Sequence, residues 1–376
     1  MKIVIAPDSY KESLTAMEVA TAIEHGFKEV MPNAEYIKLP MADGGEGTVQ
    51  SLVDATNGHI VTAKVTGPLG ETVEGFYGLL GDGFTAVIEM AAASGLHLVE
   101  PNKRNPLLTT TFGTGELIKQ ALNSGVKHII LGIGGSATND GGIGMAQALG
   151  AHFYDKSGAE LGSGGGALSQ LARIDLSGMD KRLADVKLEV ACDVDNPLCG
   201  PKGASHVFGP QKGATPEMVE QLDTNLAHYA EVIRQTTGKN VINQAGAGAA
   251  GGLGAALIGL LNAKLRAGIN IVMDFVNLEQ EIRDADLVIT GEGRIDSQTI
   301  HGKTPIGVAR VAKKYHLPVI GIAGSVSKDC HVVYEHGIDA VYSVVLGATD
   351  LSTALKDAKS NIEITARNIA KVLTIK

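Results

Sequence analysis

The sequence predicts an α/β protein: a Rossmann-like, doubly wound parallel-sheet domain formed by both chain ends, with a second α/β domain inserted between them. Three observations carry this expectation. Short apolar, β-branched runs alternate with helical periodicity over residues 1–58, and the alternation returns near residue 285. Between those stretches the period changes to hairpins mixed with helices. The 376 residues also exceed what one compact core organises, so two domains are expected. The expected division is 1–58 with 276–376 for one domain and 59–275 for the insert, with the active-site cleft between the two.

Each element follows from local pattern. Residues 2–6 (KIVIA) read as a buried strand that leaves through the turn Pro7-Asp8-Ser9. Thr15 and Glu18 form a T-x-x-E capping box, and the helix behind it buries Val19, Ile23, Phe27 and Val30 before stopping at Pro32. Residues 36–39 are a second strand, followed by the glycine-rich loop 42–48 and a helix ending at Gly58. Residues 64–66 and 72–79 pair as a hairpin around Gly67-Pro68-Leu69-Gly70, and 85–89 and 128–131 are further strands. Residues 143–149 read as a small-residue helix, 151–161 as a hairpin turning at 155–158, and 188–191 as a strand. Pro216 opens a long amphipathic helix with Met218, Leu222, Leu226, Tyr229 and Ile233 on one face and Gly238 at its end. Residues 253–265 read as an apolar helix. Strands are then expected at 287–290, 319–323 and 340–345, with helices at 303–314, 329–335 and 352–372.

Composition narrows the function. The 48 glycines show no collagen period and no low-complexity block, which suggests many tight turns around ligands. A net charge of −9 without a basic stripe excludes nucleic acid as a partner, although a few lysines in a cleft still admit a small anion. Three cysteines are too few for a disulfide framework, and the eleven histidines show no metal-binding spacing. Residues 1–10 begin at once in a strand, and the longest apolar stretch, 254–261, is far short of a membrane span. A soluble, cytoplasmic protein without a membrane partner is expected.

Ligands of open parallel sheets lie at the carboxyl ends of strands, and several polar segments fall there. The richest is GIGGSATNDGG at 132–142, where Gly134, Gly135, Ser136 and Thr138 suit phosphate cradling and Asn139 and Asp140 suit orientation. Ser9 follows the first strand together with Asp8 and Lys11; Gly44 and Gly45 follow the second; Gly291, Glu292, Arg294 and Asp296 follow the strand at 287–290; Asp193 and Asp195 follow 188–191. Any one of these segments alone reads equally well as a structural turn. Together they suit phosphoryl transfer, which needs N–H donors and cations around phosphates, a metal ion on carboxylates, and a carboxylate near the accepting hydroxyl. Asp193, Asp195, Glu292 and Asp296 are the candidate ligands for Mg2+. Lys11, Arg294 and Lys303 are the candidate phosphate-binding cations, with a solvated surface charge as the plain alternative for the two lysines. Two motifs fail on inspection. Gly302-Lys303-Thr304 lacks the first glycine of a P-loop, since position 297 is Ser297. Residues 246–251 match G-x-G-x-x-G without a strand before them, and read as a flexible turn or hinge lining a cleft.

The segments PDSYKESLTA at 7–16, MADGGEGT at 41–48, GIGGSATNDGG at 132–142, CDVDNPL at 192–198, and TGEGRIDSQT with GKTP at 290–305 run in order over the chain. In these segments the sequence resembles the type 1 glycerate kinase family. The resemblance implies a Rossmann-like domain interrupted by a second α/β domain, and ATP-dependent phosphorylation of glycerate, typically to 2-phosphoglycerate. ATP and glycerate are then the expected small-molecule partners. Arg294 and Arg104 are the candidates for the glycerate carboxylate. Asp193 is the first choice for general base and Asp8 the other contender. Asn139 and Asp140 would help close the site around phosphate, metal or glycerate. The rival readings are 3-phosphoglycerate as product, an NAD-dependent hydroxy-acid enzyme, and a non-catalytic small-anion binder. Enantiomer and oligomeric state stay open, a homodimer included.

Overall fold

The computed structural model describes residues 1–375. They divide into two compact units, Met1–Asp43 with Gln50–Asn57 and Ala267–Lys376, and Gly44–Val49 with Gly58–Arg266. The second unit thus ends at Arg266, short of the expected 275. Helix Gly268–Phe275 belongs to the first unit because Ile269 packs directly on Gly307 of helix Thr304–Lys314, where any side chain would crowd it.

The chain opens with β1 (Lys2–Pro7) and β2 (Glu35–Lys38). Then come β3 (His59–Thr66), β4 (Thr72–Leu79), β5 (Thr85–Glu89), β6 (His128–Gly132), β7 (His152–Tyr154) and β8 (Arg173–Asp175). It closes with β9 (Lys187–Ala191), β10 (Lys264–Arg266), β11 (Leu287–Ile295), β12 (Val319–Val326) and β13 (Ala340–Ser343).

In the first unit five parallel strands run in the order β13-β12-β11-β1-β2. From β1 the chain moves outward to β2 on one side, and from β11 outward to β12 and β13 on the other. The seam between β1 and β11 is therefore the topological switch point, where doubly wound sheets bind ligands. Helix Ala16–Lys28 carries the capping box expected of Thr15 and Glu18. Its buried face (Val19, Ile23, Phe27) packs with Ile3 and Ile5 of β1 and with Ile362, Ala366 and Ile369 of helix Ala358–Leu373. Burying each such side chain contributes about 1.5–3 kcal/mol.

In the second unit six strands run β10-β9-β6-β5-β4-β3. The first four are parallel, and β4 and β3 add an antiparallel hairpin at the edge. Ile88, Leu117, Ile118, Ile129, Leu131, Leu253 and Leu257 form the core around this sheet. A second core gathers Leu226, Tyr229 and Ile233 of helix Pro216–Thr237 with Ile143 and Phe153.

Several elements differ from expectation. β11 continues to Ile295 and β12 to Val326, because the two strands keep pairing through Glu292–Ala323 and Arg294–Ser325. Glu292 and Arg294 thus stand on a strand, not on the loop after one. β7 pairs with the distant β8, and the return after the turn at 155–158 is a single bridge, Tyr154–Glu160. The apolar helix covers Ala249–Gly259 and gives way to β10. The segment after 329 is a 3-10 helix, Cys330–His336, and the last helix breaks at Asp357 into Leu351–Lys356 and Ala358–Leu373. Among the described residues no helix is long and apolar enough to cross a membrane.

Candidate active site

At the switch point of the first unit, Asp8 N donates to Gly291 O at 2.8 Å, which carries the β1–β11 ladder one residue past the strand end. The Asp8 carboxylate is then fixed at both oxygens. Oδ1 accepts from Ser9 N at 2.7 Å and Oδ2 accepts from Thr304 Oγ1 at 2.6 Å. Thr304 is the first residue of helix Thr304–Lys314, so the carboxylate also faces the positive end of a helix. Burial is the largest influence on Asp8 and, with the negative charges of Asp43 and Glu292, pushes its carboxyl up to about 7 against the opposing bonds from Thr304 and Ser9. Glu292, on β11, accepts from Thr299 Oγ1 at 2.7 Å and pairs with Lys303 Nζ at 3.2 Å. Burial raises its carboxyl too, and Thr299 and Lys303 hold it back. Asp8, Asp43 and Glu292 are therefore like charges close enough to repel, with one lysine among them.

Arg294 and Asp296 sit on the same strand end and pair at 3.1 Å, with the arginine exposed. Lys11 is exposed on the turn after β1, and Ser9 beside it is partly buried.

In the second unit the glycine-rich loop leaves β6 at Gly132. A Cβ on Gly132 would stand 2.7 Å from Gly44 O, so only a glycine lets the Gly44-Gly45 segment lie against this strand end. Glu89, at the end of β5, secures that segment by accepting from Val49 N at 2.9 Å. Burial pushes the Glu89 carboxyl up to about 6, with the Val49 bond opposing and Glu46 adding to the rise. Gly134 and Gly135 form the exposed rim of the loop. Behind them Ser136, Thr138, Asn139 and Asp140 are buried.

Asp140 does not face a ligand. Its carboxylate accepts from Thr111 N and Oγ1, both at 2.8 Å, from Gly142 N at 3.0 Å and from Gly144 N at 3.3 Å. Such a set of donors fastens the loop to the start of helix Phe112–Asn123 and to its own exit. Asn139 is likewise turned inward, its Nδ2 donating to Ser205 Oγ at 3.1 Å. Both residues hold the loop's shape, which corrects the expectation that their side chains close on a reactant. Thr138 gives its carbonyl to Lys212 Nζ at 2.7 Å and its side chain is buried, so it too is internal. Arg104 spends its guanidinium on the carbonyls of Val99 and Gln211 at 3.4 Å, which leaves it poorly placed for a substrate carboxylate.

Asp193 and Asp195 are exposed on the segment after β9. Among the described residues no three acidic, histidine or cysteine side chains gather into a metal cage. Of the expected ligands, Asp195 lies in the second unit, Glu292 and Asp296 lie in the first, and Asp296 pairs with Arg294. The stretch 246–251 is no hinge on a cleft. Gly251 sits at φ +67°, and a Cβ there would collide with the Thr138 carbonyl oxygen, so this stretch is packed tight under the glycine-rich loop.

Glu89 and Lys212, which brace the glycine-rich segments, were not singled out from the sequence, and Thr304 was named there only within a rejected motif. Glu89 carried a usable signal, an acidic residue ending a strand of a parallel sheet. Lys212, in Pro-Gln-Lys-Gly, carried none.

Comparison with known proteins places the chain in a family. The model of the glycerate kinase family matches residues 3–374. A glycerate kinase of Bacillus subtilis is 65% identical over 370 residues, covering 98% of this chain and 97% of that protein. A glycerate 2-kinase of Escherichia coli is 61% identical over 375 residues, covering 100% of this chain and 98% of that protein. A crystal structure from Salmonella typhimurium, provisionally assigned as glycerate kinase 2, superposes with a TM-score of 0.92 at 62% identity, covering 99% of this chain and 98% of that one.

Proposed function

The chain belongs to the glycerate kinase family, and from that premise we propose that it moves the γ-phosphoryl group of ATP onto the 2-hydroxyl of glycerate. The protein is a glycerate kinase, and its products are 2-phosphoglycerate and ADP. The observation that carries the chemistry is Asp8, a carboxylate at the switch point of a doubly wound sheet with a pKa near neutrality. A general base works best when its pKa lies near the working pH. The similarity to a relative named glycerate 2-kinase supports the 2-hydroxyl over the 3-hydroxyl.

In this reading Asp8, and not the exposed Asp193, takes the proton of the attacking hydroxyl. The hydroxyl oxygen bonds to the γ-phosphorus as the bond to the ADP oxygen breaks, and the proton ends on the Asp8 carboxylate. Thr304 Oγ1 keeps that carboxylate oriented and favours its ionised form. Lys303 contributes positive charge to phosphate, and its pairing with Glu292 holds the ammonium in place until nucleotide arrives. Backbone N–H groups at Gly44, Gly45, Gly134 and Gly135 are assigned to phosphate oxygens, whereas the N–H of Ser9 is taken by Asp8 Oδ1 and that of Gly291 lies in the β1–β11 ladder. Arg294, exposed and held at one end by Asp296, is assigned to the glycerate carboxylate.

The donor set suits Mg2+ bound together with nucleotide. Magnesium in kinases keeps waters and phosphate oxygens and needs only one or two carboxylates, and Asp8, Asp43 and Glu292 are mutually repelling carboxylates that a cation would relieve. Glu292 and Asp43 are the residues assigned to it. When bound, the ion neutralises charge on the phosphate oxygens. Three free thiols, Cys192, Cys199 and Cys330, support a reducing, cytoplasmic setting.

The reaction is tested by coupled ADP release with D- and L-glycerate, followed by phosphorus NMR of the product. ADP release with one enantiomer and a phosphate coupled to a single methine proton are expected. No glycerate-dependent ADP release would sink the reading, and a phosphate coupled to two methylene protons would move the reaction to the 3-hydroxyl.

A further inference from the structure

Lys212 is a fully buried cation, 2% exposed, on the 3-10 turn Pro210–Lys212. Its Nζ donates to Ser136 Oγ and to Thr138 O, both at 2.7 Å. Both acceptors are neutral, and burial pulls the Lys212 ammonium down to about 7, opposed only through space by the charge of Asp140. Burying a charge against neutral acceptors is costly, so its position calls for a reason. Two more polar atoms on the same loop, Thr138 Oγ1 and Asn139 Oδ1, are buried without a hydrogen-bond partner among the described residues.

An ammonium only donates, whereas a hydroxyl both donates and accepts. When Lys212 donates to Ser136 Oγ, it occupies a lone pair and leaves the hydroxyl proton free to point away from the lysine. Ser136 adjoins the exposed rim Gly134-Gly135, where Gly135 takes φ +73°. A hydroxyl polarised from behind by a buried cation is a stronger donor than an ordinary serine.

We propose that Lys212 is a positioning residue, which sets the Ser136 hydroxyl as a donor to a reactant oxyanion held at the Gly134-Gly135 rim. This rests on the kinase reading above, in which both reactants bring oxyanions: the carboxylate of glycerate and the phosphates of ATP. Lys212 touches neither; it acts through Ser136.

The test uses Lys212→Met, which keeps length and removes charge, Ser136→Ala, and the double variant. Kinase kcat and KM are measured for each, together with calorimetric Kd values for D-glycerate and for ATP taken separately. Each single variant is expected to lower kcat/KM about a hundred- to a thousandfold, as removal of one donor to developing charge does, with weakened binding confined to one reactant. That reactant identifies the oxyanion. Because the lysine works through the serine, the double variant should lose no more than the worse single one. Losses that multiply, or a folded Ser136→Ala with unchanged Kd values and kcat/KM, overturn the proposal. If Lys212→Met does not fold, Ser136→Ala decides alone. A wild-type protein that binds both reactants without turnover refutes the kinase reading and leaves the relay to be judged by the Kd values.

Discussion

Thr304 Oγ1 donates to Asp8 Oδ2 at 2.6 Å, joining residues 296 positions apart in the sequence. The bond closes the seam between β1 and the helix that follows β11, and it decides how the carboxylate behaves. Of the influences on Asp8, burial and the charges of Asp43 and Glu292 favour the protonated form, and Thr304 and Ser9 favour the ionised one. A base must be ionised to accept a proton, so kcat/KM is expected to rise with pH through about 7 and then level. Thr304→Val removes a bond to the ionised form, so this limb should move to higher pH. Asp8→Asn should lower kcat by about 10²–10⁴. An unmoved limb in Thr304→Val, or near-normal turnover in Asp8→Asn, removes Asp8 from the role.

The same carboxylate carries a stability cost. Its folded pKa, about 7, lies above the ordinary carboxylate value of 3.8 that the unfolded chain approaches, so the folded state binds the proton more tightly. Stability from this group is fully present below about pH 4 and is lost as pH rises through 7. Asp8→Asn is neutral throughout and should flatten that fall. At pH 8 it should be more stable than wild type by on the order of 1 kcal/mol, in keeping with the trade between activity and stability at active sites. Urea unfolding at pH 5 and pH 8 for both proteins checks the sign, and equal pH slopes would contradict it.

Burial raises the Asp140 carboxyl as it does that of Asp8, but here substitution should destabilise the fold. Its carboxylate satisfies three backbone N–H groups and the Thr111 hydroxyl in a fully buried place. Asp140→Ala leaves those donors without a partner, at about 1–3 kcal/mol for each buried group, so a loss of at least about 3 kcal/mol is expected. Asp140→Asn keeps one acceptor oxygen and should lose less. Calorimetric midpoints rank the three proteins, and an alanine variant as stable as wild type would show that the loop does not depend on this carboxylate.

Much of this architecture was legible in residues 1–58, where the capping box of Thr15 and Glu18 and the apolar run at 2–6 are local signals that packing does not override. β11 shows the limit. Leu287 to Thr290 reads as a strand from composition, but Gly291-Glu292-Gly293-Arg294 has low β propensity and is extended only because β12 pairs with it. Asp140 and Asp8 illustrate the same limit at the site. Both are acidic residues beside glycines or turns at strand ends, and only their bonds show that Asp140 fastens a loop with four donors whereas Asp8 is held by two. Lys212 was invisible because its burial arises from contacts 74 and 76 positions away.

The glycine at 251 gives a sharp packing test. At φ +67°, with the Thr138 carbonyl where a Cβ would stand, Gly251→Ala must displace the glycine-rich loop. Gly70 has φ +90° and nothing within 4 Å, so Gly70→Ala meets only the dihedral penalty, about 1 kcal/mol. Gly251→Ala is expected to cost several times more and to lower activity with it. Matched thermal melts and kinase assays compare the two, and equal effects would mean that the loop does not rest on residue 251.

The proposed assignment gives Lys303 to the nucleotide and Arg294 to the glycerate carboxylate. Lys303 stands 3.2 Å from Glu292, inside the carboxylate group that includes Asp8, whereas Arg294 is exposed and held by Asp296 at 3.1 Å. Lys303→Met removes a phosphate-binding charge and also frees Glu292, whose raised carboxyl loses an opposing cation and should rise further. The expected outcome is an ATP KM raised about tenfold or more, about 1.4 kcal/mol for each factor of ten, with the glycerate KM little changed. Arg294→Ala should do the reverse, raising the glycerate KM and sparing ATP, because a guanidinium matches a carboxylate through two parallel bonds. Arg294→Lys should recover only part of the loss, since an ammonium cannot make that pair. Steady-state kinetics with each reactant varied at saturation of the other gives all four constants. If Arg294→Ala raises the ATP KM instead, the arginine belongs to the nucleotide and the carboxylate of glycerate must be held elsewhere.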